Sequence, residues 1–383
     1  MKILVATDTY SPQVNGVVTI LEETIPKLAQ ENEIVLIAPS KSTKKIEEDG
    51  VKKYFLKGHN FPFYQEYLMV PFAEKQIEEI IKKEKPDLVH LHAPVMIGIS
   101  TLNEAKKKGI PTIITHHTHF PDYIGHTVGK RLPKFMKSEF KKIVQNKIKN
   151  EYDKANLIIV PSTPLKEELE KLGVRNTEVI ENGVDFSNLK EPSKEEVEEF
   201  RKRYALEGKK IILYLGRVSA EKKIEILIDA MKEIEQAVLV IVGKGPHTKK
   251  LMERAQREKV EKKVVFAGFV KNKAIPYKCA DLFASASDTE TFGLTFIEAM
   301  WFEKPTVGAN SLGAKEVIID AQTGFLINEQ NSKEYAKKIN QILNNPRLSQ
   351  DMGKEAKNHA QRYRIENSLS KLTKIYKLQL HKS

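Results

Sequence analysis

Short apolar runs alternate with helix-like stretches along the whole chain, and this rhythm restricts the fold more than any other feature. In the first half the runs are KILVATD, EIVLIAP, DLVHLHA, TIITHHT and LIIVPS. After an acidic, proline-containing stretch the rhythm restarts with KIILYLGR, AVLVIVGKG, KVVFAGFV, DLFASAS, PTVGAN and TGFLIN. Such runs are typical of parallel sheets with helices on both faces. The sequence therefore predicts two doubly wound α/β domains.

The length of the chain agrees with two domains. Its 383 residues exceed what one hydrophobic core usually organises. We place the hinge between Asn182 and Pro192, and assign the domains to residues 1–185 and 186–362. The tail after Asp351 has no strand signal, and it predicts two helical segments that meet near Arg364.

Several classes of protein are disfavoured by what the sequence lacks. The longest apolar runs have about five residues, whereas a membrane-spanning helix needs about 20. The apolar start at residues 3–6 is too short for a signal peptide, so we expect a cytoplasmic protein. A single cysteine, Cys279, cannot form an internal disulfide or a cysteine metal cluster. Neither the dinucleotide fingerprint nor the P-loop pattern is present.

Positive charge is concentrated in residues 130–149. The net charge is +12, and this stretch holds eight basic residues and one acidic residue. Apolar residues recur there at steps of three and four, which predicts an amphipathic helix. Such a helix either lies on an anionic membrane surface or packs its apolar face on the domain while its lysines are solvated. The candidate membrane or acceptor residues are Lys130, Arg131, Lys134, Lys137, Lys141 and Lys142. No nucleic-acid-binding module accompanies the charge, so nucleic acid is not expected as a partner.

Aromatic residues are crowded into residues 55–72. They are Phe55, Phe61, Phe63, Tyr64, Tyr67 and Phe72, interrupted by Pro62 and Pro71. We interpret the stretch as a loop. It either fills the core or forms a surface for an apolar acceptor or lipid.

Residues that follow the strands are the candidates for ligand binding, because doubly wound domains bind ligands at the carboxyl ends of their strands. Asn15 and Gly16 form such a turn after the first strand. Arg217 and Lys222 follow the first strand of the second domain, where two cations suit a diphosphate. The alternative is two solvated surface cations beside Glu221.

Two glutamates in the segment SDTETFGLTFIEAMWFEKPTVG are the most specific signal. Glu290 precedes a Phe-Gly-Leu turn, and Glu298 lies eight residues later among apolar residues of a predicted helix. A carboxylate in such surroundings needs a partner or a ligand with hydroxyls. Both glutamates are therefore candidates for binding a sugar or a ribose.

These motifs together resemble the retaining glycosyltransferases of family four. The resemblance rests on E-x7-E at Glu290 and Glu298, GRVSAEK, the N-terminal NGV turn and ENGVD at 181–185, and it covers nearly the whole chain. It implies the GT-B fold, with two Rossmann-like domains facing a cleft and a C-terminal helix, residues 363–383, that packs on the first domain.

The resemblance also implies roles for individual residues. Arg217 and Lys222 bind the diphosphate, Glu298 binds the ribose, and Glu290 binds the hydroxyls of the donor sugar. Gly16 lies against the diphosphate from the first domain. The remaining donor-binding residues are Phe269 and Val270 at the base, and Phe292, Gly293, Leu294 and Thr295 at the phosphates and sugar.

Histidines are clustered in THHTHFPDYIGH and on the strand before it. A metal site is one interpretation, but no carboxylate or cysteine completes it, and we expect none. The family has a histidine in a T-x-H-T context, which His117 matches, and the resemblance makes it a catalytic-site residue that positions the transferred sugar. Strand alternation sends His116 to the opposite face, where packing is the expected role.

The sequence thus predicts a hexosyltransferase that uses a nucleotide sugar and retains the configuration of the transferred sugar. The opening TDTYSPQVNGVVT and THHTHFPDY are similar to enzymes that glycosylate diacylglycerol, and less so to GDP-mannose-dependent lipid mannosyltransferases. We expect UDP-glucose as donor, a diacylglycerol-type acceptor, no cofactor or metal, and attachment to the inner face of the cell membrane through residues 130–149. A soluble acceptor, a sugar-nucleotide epimerase and a non-enzymatic binding protein remain alternatives.

Overall fold

The computed structural model describes residues 1–13, 15–61, 64–117 and 134–381, with only the backbone at 61, 64–67, 134–138 and 140–141. The chain forms two compact units. Unit 1 comprises Met1–Gly183 and Ile365–Ser383, and unit 2 comprises Val184–Arg364. The chain therefore passes into unit 2 after Gly183 and returns at Ile365. The boundaries drawn from the sequence are 185/186 and 362/363.

The described ranges contain sixteen strands and fourteen α-helices. The strands are β1 (Lys2–Thr7), β2 (Glu33–Ser40), β3 (Lys44–Glu48), β4 (Val51–Lys57), β5 (His59–Phe61), β6 (Tyr64–Met69), β7 (Leu88–His92), β8 (Thr112–Thr115), β9 (Leu157–Val160), β10 (Thr177–Val179), β11 (Lys210–Leu215), β12 (Ala237–Val242), β13 (Val264–Gly268), β14 (Leu282–Ser285), β15 (Thr306–Ala309) and β16 (Gly324–Ile327). The helices are α1 (Gly16–Leu28), α2 (Glu74–Glu84), α3 (Ile97–Lys107), α4 (Lys134–Tyr152), α5 (Thr163–Lys171), α6 (Lys194–Arg203), α7 (Ile224–Ala230), α8 (Thr248–Arg257), α9 (Ala274–Cys279), α10 (Leu294–Trp301), α11 (Leu312–Val317), α12 (Ser332–Leu343), α13 (Pro346–Ala360) and α14 (Ile365–Leu380).

The sheet of unit 1 has the order β10-β9-β8-β7-β1-β2-β4-β3. All neighbours pair in parallel except β3, which runs antiparallel to β4 at the edge. The chain moves outward from β1 in one direction and from β7 in the other, so the direction of winding changes between β1 and β7. The central strands are fully buried, as expected for a sheet covered on both faces.

The sheet of unit 2 has the order β13-β12-β11-β14-β15-β16, and all of its pairs are parallel. This is the strand order 3-2-1-4-5-6 of Rossmann-like domains. The change in winding direction lies between β11 and β14. Both units thus confirm the doubly wound α/β fold predicted from the apolar rhythm.

The aromatic stretch at 55–72 corrects the sequence interpretation, because it is not a loop. It contains the last three residues of β4 and the two-stranded antiparallel sheet of β5 and β6. Phe55 is buried on β4 in the core of unit 1, whereas Phe72 is 89% exposed. Phe63 and the side chains of Phe61, Tyr64 and Tyr67 lie outside the described residues. Polar residues alternate with apolar ones in these strands, and so the continuous apolar run that marks the other strands is missing.

The tail forms two helices, α13 and α14, joined by a short turn that ends at Arg364, as the sequence predicts. Helix α14 belongs to unit 1 and buries Leu372, Ile375 and Tyr376 in the core beside β1. No helix in the described ranges is long and apolar enough to cross a bilayer.

The ENGVD turn secures the return of the chain to unit 1. A Cβ atom on Gly183 would overlap the backbone of Ile365, so only glycine allows this close approach. Ser368 Oγ donates to the Glu181 carbonyl over 2.6 Å, and Lys371 pairs with the Glu181 carboxylate at 2.6 Å. The contacts of the ENGVD motif named here are therefore with the first turns of α14.

Candidate active site

Three predicted donor-binding residues of unit 2 follow the two strands between which its sheet changes winding direction. Arg217 and Lys222 follow β11, and Glu290 follows β14, the neighbour of β11. Parallel strands of this kind leave a crevice at their carboxyl ends, where doubly wound domains bind ligands. The topology therefore brings these three residues to the expected edge of the sheet.

Two consecutive lysines bind two carboxylates across this switch point. Lys222 Nζ forms an ion pair with Glu290, and Lys223 Nζ forms one with Asp288. The side chains of the first pair are 21% and 22% exposed, so that pair is partly shielded from water. Asp288 and Lys223 were not predicted from the sequence, although each lies within two residues of a predicted one.

The backbone of the loop that carries Asp288 and Glu290 is fastened to α11. Ser311 Oγ donates to the Asp288 carbonyl over 2.9 Å, and Gly313 N–H donates to the Glu290 carbonyl over 2.6 Å. A Cβ atom on Gly313 would overlap the backbone of Phe292. The loop is therefore held by its main chain, independently of its ion pairs.

The segment 292–295 begins α10. Phe292 is buried, and its ring lies edge-on to Tyr363 with centroids 5.6 Å apart. Gly293 precedes the helix with a φ of 90°, a conformation that favours glycine. Leu294 and Thr295 are half-buried in the first helical turn, where backbone N–H groups have no acceptor within the helix.

Glu298 is buried in α10, and protein groups hold its carboxylate. Lys273 Nζ lies 2.5 Å from Oε1, and the Tyr277 hydroxyl donates to Oε2 over 2.8 Å. Burial, together with the charge of Glu298, raises the pKa of Tyr277 well above its usual value, so the hydroxyl stays a donor. The sequence predicted that this carboxylate needs a partner, but it did not identify Lys273 or Tyr277.

The remaining predicted donor residues differ in their surroundings. Arg217 is half-buried, and desolvation lowers the pKa of its guanidinium, with an opposing contribution from the Glu221 carboxylate. The guanidinium nevertheless remains charged at neutral pH. The Arg217 carbonyl accepts a hydrogen bond from the Tyr214 hydroxyl over 2.8 Å. Phe269 is 60% exposed after β13, and Val270 is half-buried beside it.

Unit 1 contains a buried histidine cluster at the ends of β7 and β8. His92 Nδ1 and His117 Nε2 lie 2.8 Å apart, and the two rings are stacked. His90 contacts the Tyr376 hydroxyl of α14 over 2.7 Å and Thr115 Oγ1 over 2.6 Å. His116 is also buried, and its Nδ1 lies 2.6 Å from the Tyr152 hydroxyl, which agrees with a packing role.

Burial keeps these histidines neutral. Desolvation lowers the pKa of His90 to about 3, and His117 adds to this effect. Desolvation also lowers the pKa of His92 and His117 well below the usual value, and neighbouring histidines contribute. In the ranges that the structure describes, no group of three or more His, Cys, Asp or Glu residues is arranged to hold a metal ion. His119 and His126 lie outside the described ranges.

The neutral state of these histidines makes stability depend on pH. Because the folded pKa of His90 lies below that of an unfolded histidine, the unfolded chain takes up its proton first as the pH falls. We expect His90 alone to lower the free energy of unfolding by about 2 kcal/mol between pH 7.5 and 5.0, and His92 and His117 to lower it further. Urea unfolding followed by circular dichroism measures this. A His90→Gln variant should lose about 2 kcal/mol of that pH dependence, and an unchanged pH dependence would contradict the assignment.

Asp8 is a buried carboxylate that sequence analysis missed. It follows β1 and accepts hydrogen bonds from the N–H groups of Val95, Met96, Ile97 and Gly98, at 2.7–3.0 Å. Burial raises its pKa, and the four donors oppose that rise. Asp8 thus accepts the N–H groups at the N-terminus of α3 that have no acceptor within the helix. In the sequence, the signal for this residue was an acidic side chain directly after a strand.

Gly16 is the first residue of α1, whose N-cap is Asn15. The Asn15 side chain accepts from Val18 N–H over 3.1 Å. Among the residues that the structure describes, none has an atom within 4 Å of a Cβ atom placed on Gly16.

The basic stretch is only partly described. Lys130 and Arg131 lie outside the described residues, and only the backbone is described for Lys134, Lys137 and Lys141, which are in α4. Lys142 is exposed and pairs with Glu139 at 3.2 Å. The predicted single apolar face needs correction, because Ile143 is 64% exposed while Ile148 packs on the core.

Comparisons with known proteins agree with this architecture. Residues 14–188 match the family described as Glycosyltransferase Family 4, and residues 196–359 match Glycosyl transferases group 1. The chain belongs to the family-four, group 1 glycosyltransferases. This glycosyltransferase therefore transfers a sugar from a nucleotide sugar, as the motifs predicted.

Individual relatives are distant but cover most of the chain. The alpha-monoglucosyldiacylglycerol synthase of Acholeplasma laidlawii is 28% identical, over 93% of this chain and 92% of its own. A GDP-mannose-dependent alpha-mannosyltransferase of Mycobacterium tuberculosis is 24% identical, over 85% and 84%. The structure of Anabaena HepE in complex with UDP-glucose has a TM-score of 0.78 at 20% identity, over 98% and 99%. The last comparison confirms the predicted GT-B fold of this glycosyltransferase.

Proposed function

We propose that this glycosyltransferase moves a hexose from a nucleotide sugar to the hydroxyl of a diacylglycerol-type lipid with retention of configuration. The donor that we propose first is UDP-glucose. The observation that carries the donor assignment is the ion pair of Lys222 and Glu290 at the switch point of unit 2, where Arg217 also follows β11. Two cations suit a diphosphate, and a carboxylate accepts hydrogen bonds from sugar hydroxyls.

The proposed transfer occurs on the face that the diphosphate leaves. The Arg217 and Lys222 side chains stabilise the charge that develops on the departing diphosphate, without a divalent cation. The diphosphate takes up the proton of the acceptor hydroxyl. Glu290 binds the sugar hydroxyls, and neutral His117 positions the transferred sugar.

The contacts of Glu298 favour a binding role over a nucleophilic one. Its two oxygens already face Lys273 and Tyr277, which hold the carboxylate in one orientation. An oriented carboxylate suits a pair of ribose hydroxyls. Phe269, exposed after β13, offers an aromatic face on which the base of the nucleotide, uracil or guanine, can stack.

The lipid part of the proposal is supported by one face of α4 and by a relative. Lys142, Ile143, Asn146, Lys147 and Asn150 are exposed on this face, so an apolar side chain lies between two lysines. A surface of this kind suits an anionic membrane. The Acholeplasma relative, 28% identical, is named for a glucosyldiacylglycerol product.

The donor could instead be GDP-mannose, which the Mycobacterium relative is named for. The decisive experiment incubates the protein with radiolabelled UDP-glucose or GDP-mannose in the presence of chelator, with and without vesicles that contain diacylglycerol and anionic lipid. We expect label to enter the lipid fraction from UDP-glucose. Label in mannolipid would select the alternative donor, and label in a water-soluble product would overturn the lipid acceptor. A donor that stays intact would overturn the assignment of this substrate pair.

The same assay tests the α4 surface. The variant Lys142→Glu/Lys147→Glu should transfer glucose to diacylglycerol in anionic vesicles about 30-fold more slowly than the wild type or slower still, because each of the two lysines near an anionic surface contributes about 1 kcal/mol. Transfer to a short-chain diacylglycerol dissolved without vesicles should be unchanged. Equal loss with both acceptors would show that the variant damages the enzyme itself.

A further inference from the structure

The ion pair between Lys222 and Glu290 joins two residues whose proposed roles require different partners. Lys222 is assigned to the diphosphate and Glu290 to the hydroxyls of the sugar. In the structure, however, each has the other as its ion-pair partner. A bound diphosphate and the Glu290 carboxylate therefore compete for the same ammonium group.

The loop allows this exchange without moving its backbone. The Glu290 carbonyl is fixed by Gly313 N–H, and the neighbouring pair of Lys223 and Asp288 holds the loop from the other side. Rotation of the Glu290 side chain is thus sufficient to release Lys222. The partial shielding of the pair, with both side chains about one-fifth exposed, strengthens it relative to a fully solvated pair.

A nucleoside diphosphate and a nucleotide sugar differ in the hydrogen-bond donors that they offer to Glu290. A nucleoside diphosphate takes Lys222 and leaves the Glu290 carboxylate without a cation, beside a terminal phosphate that carries more negative charge than the diphosphate of a nucleotide sugar. An intact nucleotide sugar takes Lys222 but supplies hydroxyl donors to the released carboxylate. Only the second ligand replaces the interaction that is lost.

We propose that Glu290 competes with the spent nucleoside diphosphate for Lys222, so that the ion pair makes the site prefer the intact donor over the product and assists product release. This inference rests on the donor site proposed above. It assigns to Glu290 a role in selecting between substrate and product, in addition to its contact with the sugar.

The test measures the affinity of the full chain for UDP and for UDP-glucose by titration calorimetry, or for GDP and GDP-mannose if the wild type binds those more tightly. A Glu290→Gln variant should bind the diphosphate about three- to fivefold more tightly than the wild type, because a partly exposed ion pair no longer competes. Its preference for the sugar nucleotide over the diphosphate should fall about tenfold, because the charged acceptor for the hydroxyls is lost.

A double-mutant cycle separates competition from simple charge repulsion. If Glu290 acts by holding Lys222, its replacement by Gln should raise diphosphate affinity less in a Lys222→Met background than in the wild type. A gain in that background that equals or exceeds the wild-type gain would overturn the inference. Asp288→Asn removes the same charge from the adjacent pair and should change diphosphate affinity less than twofold.

A different result would contradict the proposed donor site. If Lys222→Met leaves the affinity for the diphosphate unchanged, Lys222 is not a diphosphate ligand and the site assignment is wrong. If Lys222→Met weakens binding while Glu290→Gln fails to strengthen it, the donor site stands and the competition does not.

Discussion

Replacing Arg217 and Lys222 together by Met should lower kcat for glucose transfer by about 10³-fold or more, because loss of one preorganised charge that stabilises a transition state already costs about 10² to 10³. Both residues lie at the carboxyl end of β11, at the switch point of unit 2. Initial rates with radiolabelled UDP-glucose and diacylglycerol vesicles measure the effect. The kcat of each single variant should lie between the values of the wild type and the double variant.

A matched variant controls for the loss of two positive charges. Lys333 and Lys337 are exposed one turn apart on α12, and neither was predicted to bind the donor. The variant Lys333→Met/Lys337→Met has the same net charge as the Arg217/Lys222 variant and should retain the wild-type rate. Transfer at the wild-type rate by the Arg217/Lys222 variant would remove the basis of the donor-site assignment.

A Gly313→Ala replacement should lower kcat by about 10²-fold, since a displacement of about 1 Å at reacting groups has an effect of this size. The added methyl group would overlap the backbone of Phe292, so the loop that carries Glu290 must shift. The hydrogen bond from Gly313 N–H to the Glu290 carbonyl would be strained by the same shift. Steady-state kinetics on protein that melts cooperatively measure the loss per folded molecule.

Gly353→Ala is the matched control for this clash. Gly353 lies in α13, where a Cβ atom would overlap the carbonyl of Glu303, and neither residue belongs to the donor site. Both variants should lose stability, by about 1–3 kcal/mol as for other overpacked sites. Only Gly313→Ala should lose kcat. Similar losses of kcat in both variants would mean that the effect comes from general instability of unit 2.

The sequence predicted the sheets well because their information is local. Each central strand is a short apolar run, and burial on both faces of a parallel sheet demands that pattern. The sequence could also place Arg217, Lys222 and Glu290 in the segments after β11 and β14, because a segment that follows a strand starts at the carboxyl end of that strand. Strands β3 to β6 were missed, because their apolar residues are interrupted by polar ones such as the adjacent Lys52 and Lys53.

The partners of the site residues could not be predicted, because they depend on contacts between distant segments. Lys222 and Glu290 are 68 positions apart, and Lys273 and Glu298 are 25 apart. The sequence indicated that Glu298 requires a partner, but several lysines qualified. Asp8 shows the same limit, since its four donors come from a helix start about 90 residues later.

The route of the chain has a consequence for its synthesis. Unit 2 is an uninterrupted stretch of polypeptide, while unit 1 needs Leu372, Ile375 and Tyr376 from the last helix to complete its core. Domains generally fold as units during translation. Because α14 follows unit 2 in the chain, unit 1 can complete its core only after the whole of unit 2 has been synthesised.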